Sequence, residues 1–130
     1  VRIIVANNSV MEISEDSKIM FNSSINAGAD IKIGKNTGVS SFCLITSSSH
    51  FNDLNKPYMK QGWFHKKIII GDDVQIGPHN HITPGTIIED QAIVASRTLV
   101  YGHIKKKNIV GGNKINKIGI RGQFHNEKKT

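Results

Sequence analysis

Ile70-Gly-Asp-Asp-Val-Gln, Ile76-Gly-Pro-His-Asn-His, Ile82-Thr-Pro-Gly-Thr-Ile, Ile88-Glu-Asp-Gln-Ala-Ile, Val94-Ala-Ser-Arg-Thr-Leu and Val100-Tyr-Gly-His-Ile-Lys follow one another without a gap. Every unit of six opens on Ile or Val. Since 32 of the 130 residues are Ile, Leu or Val, six such leads in a row would arise by chance about once in 4,000 for a given frame. The fifth positions, Val74, Asn80, Thr86, Ala92, Thr98 and Ile104, are mostly small or β-branched. A period of six does not fit the 3.6-residue stripe of an amphipathic helix, but it fits a short strand and a tight turn with the lead residue inward. Three units then close one triangular coil of about 18 residues, and stacked coils bury a column of Ile and Val.

Outward from this stretch the register continues more loosely: Phe21-Asn-Ser-Ser-Ile-Asn, Ala27-Gly-Ala-Asp-Ile-Lys, Ile33-Gly-Lys-Asn-Thr-Gly, Val39-Ser-Ser-Phe-Cys-Leu and Ile45-Thr-Ser-Ser-Ser-His. Ile45 and Ile70 are 25 residues apart, one more than a multiple of six, so the repeat is interrupted between them. Gly, Asn and Asp at Gly34, Asn36, Gly71, Asp72, Asp73, Gly77, Gly85 and Asp90 suit the corners, because these residues tolerate tight-turn conformations. With 21 Ile and 8 Val against 3 Leu, the aliphatic residues favour strands, and few helices are expected. The expectation is an all-β chain. One repeat domain covers residues 1–121 with an inserted loop at 46–67, and a polar tail covers 122–130.

Composition narrows the function classes. The single cysteine, Cys43, excludes an internal disulfide framework, and its place between Phe42 and Leu44 reads as a buried small hydrophobe. The net charge of +7 invites a polyanion. No helix-turn-helix or RNA-binding segment interleaves aromatic residues with the basic clusters, so nucleic acid is not expected as a partner. No apolar run reaches spanning length and no signal-peptide pattern precedes the first repeat. These point to a cytoplasmic protein without an integral membrane segment, at most peripheral to a membrane. The chain does not begin with Met, so its first residue is not read as the start of the protein.

The ordered landmarks Ile31-Lys-Ile-Gly-Lys-Asn, Ser-Ser-Ser-His50 before a loop, Ile68-Ile-Ile-Gly-Asp-Asp-Val, Ile82-Thr-Pro-Gly-Thr-Ile, Ile93-Val-Ala-Ser and Ile109-Val-Gly-Gly-Asn resemble the bacterial hexapeptide-repeat acetyltransferases. The similarity runs from Ile31 to Arg121 and is to the branch that acts on maltose, galactosides and cell-surface polysaccharides. It implies a left-handed parallel β-helix, a homotrimer with active sites between subunits, acetyl-coenzyme A as cosubstrate, no metal, and a sugar or polysaccharide acceptor. It further implies that His50, at the start of the interrupting loop, is the general base. A sugar hydroxyl is a poor nucleophile until its proton is removed, and imidazole titrates in the range where it can take that proton as the oxygen attacks the thioester carbon.

By the same resemblance Asn22 contacts substrate, although a corner asparagine is the plainer reading. Gly77, Pro78, Ser96 and Gly112 fall where the pantetheine arm runs along stacked coils, and Lys114, Lys117 and Arg121 are candidates for the phosphates. The chain departs from the pattern at several places. Gln75 stands where the family commonly has Trp and lines the acceptor or pantetheine channel. Arg97 replaces a Gly, Lys114-Ile115 replace Pro-Ala, and Ala27 replaces an acidic sugar ligand. The last change argues against small galactosides, and with the positive charge it favours an acidic capsular or sialic-acid-containing polysaccharide.

Trp63 belongs to a loop, 51–67, that holds four of the eight aromatic residues. It can stack on a sugar or dock the loop against a neighbouring subunit. Two other functions stay open, an N-acetyltransferase acting on an amino sugar and a non-catalytic trimeric module. A zinc site resembling that of the γ-class carbonic anhydrases, built from three histidines across a subunit boundary, would need a pair of histidines five apart and a third about one and a half coils upstream. His79 and His81 are two apart and no pair meets the requirement. His65, in the loop with Trp63 and Phe64, is expected to border the acceptor site, whereas His103 and His125 read as surface residues.

Overall fold

A computed structural model describes residues 1–112 and 115–122. In the hexads both the first and the fifth side chain turn inward. The leads Ile70, Ile76, Ile82, Ile88, Val94 and Val100 are at most 1% exposed, and Val74, Asn80, Thr86, Ala92, Thr98 and Ile104 are also buried. Each unit is therefore a minimal strand carrying one inward aliphatic, followed by a corner carrying a second, smaller inward group. Where that second group is polar it is satisfied locally. Asn80 donates from Nδ2 to the Gly77 carbonyl at 2.9 Å, and its Oδ1 accepts from the Thr98 amide of the next coil. Thr98 Oγ1 donates to Ala95 O and Thr86 Oγ1 to Thr83 O. Buried polar groups paired in this way add order without the penalty of an orphan.

Three parallel sheets form the faces of a five-coil prism. The first face stacks Arg2–Val5, Ser24–Ala27, Leu44–Thr46, His81–Ile82 and Leu99–Val100. The second stacks Met11–Ile13, Ile31–Ile33, Ile68–Ile70, Ile87–Ile88 and His103–Ile104. The third stacks Lys18–Ile19, Gly38–Val39, Gln75–Ile76, Ile93–Val94 and Asn108–Gly111. Asn116–Ile120 then turns back antiparallel on the last of these strands.

The coils are not all alike. Met11 pairs with Ile31 and Ser24 with Leu44, a pitch of 20 residues; Ile69 pairs with Ile87, a pitch of 18; Ile87 pairs with His103, a pitch of 16. This corrects one unit of the looser half of the hexad frame, whose other leads Ala27, Ile33, Val39 and Ile45 are buried. Phe21, read as a lead, is 58% exposed, while Ile25 and Ala27 in the longer strand Ser24–Ala27 fill the core. At the other end Gly102, with φ of 75°, cuts a corner short, and Ile104 comes to lie beside Ile88.

Two corner columns adopt the left-handed conformation repeatedly: Asn22, Phe42, His79 and Arg97 in one, Asp16, Asn36, Asp73, Gln91 and Lys107 in the other. At the corner between the second and third faces the Gly-Asp pattern of the hexads has a packing reason. The Asp72 carboxylate accepts from the Lys35 amide, and Asp90 accepts from the Asp72 amide, each at 2.8 Å. A Cβ at Gly34 or Gly71 would overlap the aspartate that caps it from the next coil. The acid therefore requires the glycine one coil away.

Cys43 is buried, and its thiol donates to the Gly77 carbonyl at 3.2 Å. Burial pushes the thiol above its ordinary range, and hydrogen bonds with the backbone of Asn80 and His79 only partly offset this. Native protein is expected to leave Cys43 unlabelled by a thiol-specific disulfide reagent, with labelling appearing only as denaturant unfolds the chain. Rapid stoichiometric labelling in buffer would contradict this placement.

Candidate active site

The interruption after Ile45 is a β-hairpin. Ser48–His50 pairs antiparallel with Trp63–His65, matching Ser48 with His65, Ser49 with Phe64 and His50 with Trp63. Lys66 N donates to Ser47 O at 2.8 Å, closing the neck before the chain re-enters the core at Ile68. The tip holds a single 3-10 turn, Tyr58–Lys60. Gln61 stitches it, accepting from the Asp53 amide and donating to the Asp53 and Lys56 carbonyls. The loop expected at 46–67 thus has a strand on each side and a braced end.

This hairpin positions His50. Its ring centroid lies 3.7 Å from that of Trp63, and Tyr58 meets it edge-on at 5.2 Å. Its Nδ1 is buried and has no hydrogen-bond partner among the described residues. A buried nitrogen left without a partner is uncommon and sets His50 apart from the other described histidines.

At the base of the hairpin, against the first face, lies a hollow of about 440 Å³. Ile4, Ala6, Ala27 and Trp63 form its apolar wall, and Asn26, Thr46, Ser48 and His65 contribute its polar groups. Trp63 belongs to both settings, lining the hollow and packing on His50. Asn22 does not line it; it is an exposed corner residue with φ of 59°. The asparagine that does is Asn26, in the strand Ser24–Ala27. Sequence reading missed Asn26 and Ser48 because only stacking of the coils brings them together.

The residues assigned to the coenzyme gather on a different edge, where the third face turns into the first. A Cβ on Gly77 would stand 2.9 Å from the Ser96 amide, and one on Gly111 2.9 Å from the Ala95 Cβ, so neither glycine leaves room for a side chain between the coils. Pro78 accepts from the Arg97 amide at 3.1 Å, and the side chains of Pro78, Ser96 and Arg97 are exposed along this edge. Gly112, with φ of 94°, continues it. Gln75 is exposed on the third face beside Ile93.

Lys117 is exposed on the returning strand, opposite Val110. Lys114 lies outside the described residues, as does His125. Arg121 is already engaged: its guanidinium donates to the Asp73 carbonyl and to both carboxylate oxygens of Asp73. It would have to exchange that pair for a phosphate. His79 stacks on Phe42 with centroids 5.0 Å apart, and His103 pairs with Glu89. Partial burial holds the His81 imidazole below its usual range. Among the described residues no group of three or more His, Cys, Asp or Glu side chains is arranged to hold a metal ion.

Residues 67–102 match the family described as bacterial transferase hexapeptide (six repeats). YvoF of Bacillus subtilis (strain 168), which carries the name of an acetyltransferase, is 34% identical over 95 residues, covering 73% of this chain and 47% of that protein. The chain spans about half the length of this curated relative. Among solved structures, the hexapeptide-repeat-containing acetyltransferase VCA0836 from Vibrio cholerae superposes with a TM-score of 0.78 at 23% identity, covering 91% of this chain and 70% of the other. AntD, an N-acyltransferase from Bacillus cereus solved with dTDP and 3-hydroxybutyryl-CoA, gives a TM-score of 0.75 at 18% identity, covering 94% of this chain and 71% of AntD. The fold shared with them is the left-handed parallel β-helix.

Proposed function

This chain belongs to the hexapeptide-repeat transferases, and from that premise we propose that it transfers acetyl from acetyl-coenzyme A to a sugar hydroxyl, with His50 as general base. The observation that supports the reading is the place of His50 at the foot of the excursion, its ring packed on Trp63, which itself lines a hollow large enough for a sugar ring; His50 is not among the residues that line it. In the proposed reaction the acceptor oxygen attacks the thioester carbonyl as the imidazole removes its proton. The tetrahedral intermediate collapses with loss of the coenzyme thiolate, and the imidazolium returns the proton to sulfur. The electron-rich face of Trp63 supports the transient imidazolium. Asn26, in the wall of the hollow, is a candidate donor to the acceptor or the oxyanion.

The coenzyme is proposed to follow the edge formed by Gly77, Pro78, Ser96, Arg97 and Gly112, with Lys117 and Lys114 toward its phosphates. The exposed side chains of Pro78, Ser96 and Arg97 along one edge support this. His50 belongs to a hairpin on the opposite border of the first face, a strand length of roughly 13–17 Å away. Such a separation favours a site completed by a second subunit, hence the proposed homotrimer. The acceptor proposed is a sugar of an acidic cell-surface or capsular polysaccharide, in keeping with the charge of +7. Among the described residues no helix is long and apolar enough to cross a membrane, and the proposed setting is the bacterial cytoplasm.

Transfer to an amino group is the second reading, favoured by the fold shared with the N-acyltransferase AntD. Incubation with acetyl-coenzyme A and matched hydroxyl and amino sugars, followed by mass spectrometry of the products, separates the two. Ester products, labile to mild base, are expected. Exclusive amide products would reverse the assignment. Failure to bind the coenzyme at all would leave a non-catalytic module.

A further inference from the structure

A second, shallower hollow of about 680 Å³ joins the first through three shared residues, Ala6, Gly28 and His65. The two adjoin over these residues, and we treat them as one groove with unlike ends. The Trp63 and Ile4 end is apolar. The other is lined by Asn7, Asn8 and Ser9 and by the cations Lys66 and Lys67. Neither lysine forms an ion pair within the described residues. Asp30 is the carboxylate lining that end, and its Oδ1 already accepts from the Val10 amide at 2.9 Å.

At the waist, Ser48 Oγ and His65 Nδ1 are hydrogen-bonded at 2.8 Å. This fixes the imidazole and leaves Nε2 for another partner. The pair occupies the space above Gly28, where a Cβ would overlap both Ser48 Oγ and His65 Nδ1. Glycine at 28 is thus what lets a serine and a histidine from opposite hairpin strands meet over the floor of the groove. This is a built arrangement and not two polar groups that happen to be near one another.

We propose that this groove is the acceptor site and that it selects a glycosyl unit bearing an anionic group. The C–H face of the sugar lies on Trp63 and Ile4, a ring hydroxyl bonds to His65 Nε2, and the anion is held by Lys66 and Lys67. Only the word acceptor rests on the transferase reading above; the recognition chemistry does not. A phosphate and a carboxylate would satisfy the lysines equally, and the test separates them.

Binding of glucose, glucose 1-phosphate, glucuronic acid and inorganic phosphate is measured by calorimetry in low salt, without acetyl-coenzyme A. At least one anionic sugar is expected to bind about tenfold more tightly than glucose, the scale of one charge-assisted hydrogen bond. A preference for the phosphate or for the acid identifies the anion. K66A/K67A, both exposed positions, is expected to erase the preference and keep glucose binding. H65A weakens every sugar alike, and G28A should do the same by evicting the pair. Equal affinity for neutral and anionic sugars overturns the proposal, as does inorganic phosphate binding as tightly as glucose 1-phosphate, or H65A binding like wild type. Intact sugar discrimination without any acetyl transfer would defeat the transferase reading and leave the groove assignment standing. Turnover on glucose without discrimination would do the reverse.

Discussion

Replacing His50 by alanine is expected to lower acetyl transfer by about 10²–10⁴-fold, the usual contribution of a positioned general base. The coenzyme should still bind within about twofold of wild type, because the edge assigned to it lies across the first face from the hairpin. The fold should also survive. His50 lies on the excursion and the coil core contains none of its atoms, so the melting temperature is expected to move by no more than a few degrees. Wild type and H50A would be compared by thiol release from acetyl-coenzyme A and by calorimetry with coenzyme A. A variant retaining more than half the wild-type rate would remove His50 from the chemistry. An inactive variant that had also lost coenzyme binding would point to damage reaching beyond the hairpin to the coils or their assembly. His50→Gln is the control for that outcome, since it keeps a polar side chain between Trp63 and Tyr58 and cannot serve as a base at neutral pH.

The second large effect concerns stability. Ile82 is fully buried in a column that runs Ile25, Ile45, Ile82, Val100 through the first face. Truncating it to alanine is expected to cost about 2–5 kcal/mol, the range for removing a buried aliphatic from a core that relaxes only partly. Ile82→Val should cost about 1 kcal/mol. In a stacked-coil protein each coil rests on its two neighbours alone, so a cavity in the fourth coil weakens the contact with the third and the fifth together. Ile3 continues the same column at its outer end, pairing with Ile25, and is 43% exposed. Ile3→Ala should therefore cost less than half as much. Denaturant unfolding of the three variants tests the ordering. Equal losses at Ile3 and Ile82 would mean that the end of the column is as well packed as its middle.

The contrast between what could be read and what could not follows from sequence distance. The buried leads from Ile70 to Val100 were legible because the constraint repeats locally; any unit predicts the next. Phe21 misled because the same rule was extended into coils of 20 residues, where longer strands bury two aliphatics each and the frame slides. The position of His50 at the foot of the excursion was legible as a break in a pattern. Of the residues that surround the hollow, His65 and Trp63 were legible as members of the aromatic loop, but Asn26 and Ser48 were not, since they meet the others through pairing across a coil and across a hairpin, and nothing within a few residues of either announces it. Arg121 is the clearest case. Its charge invited a phosphate, but Asp73, 48 residues away, holds it instead.

The unequal pitches have one further consequence. Twenty, eighteen and sixteen are all even, and so is the twenty-two that separates Arg2 from its partner Ser24. Because a strand alternates its sides every residue, steps of two keep insiders inside, whereas a step of one exchanges them with outsiders. The single odd interval, thirty-seven from Ile45 to Ile82, contains the hairpin. The prism therefore counts in pairs everywhere except at the excursion, where parity is absorbed outside the core. Length changes there, odd or even, leave the stacked aliphatics in phase, so the chain can vary what it recognises without renumbering what holds it up.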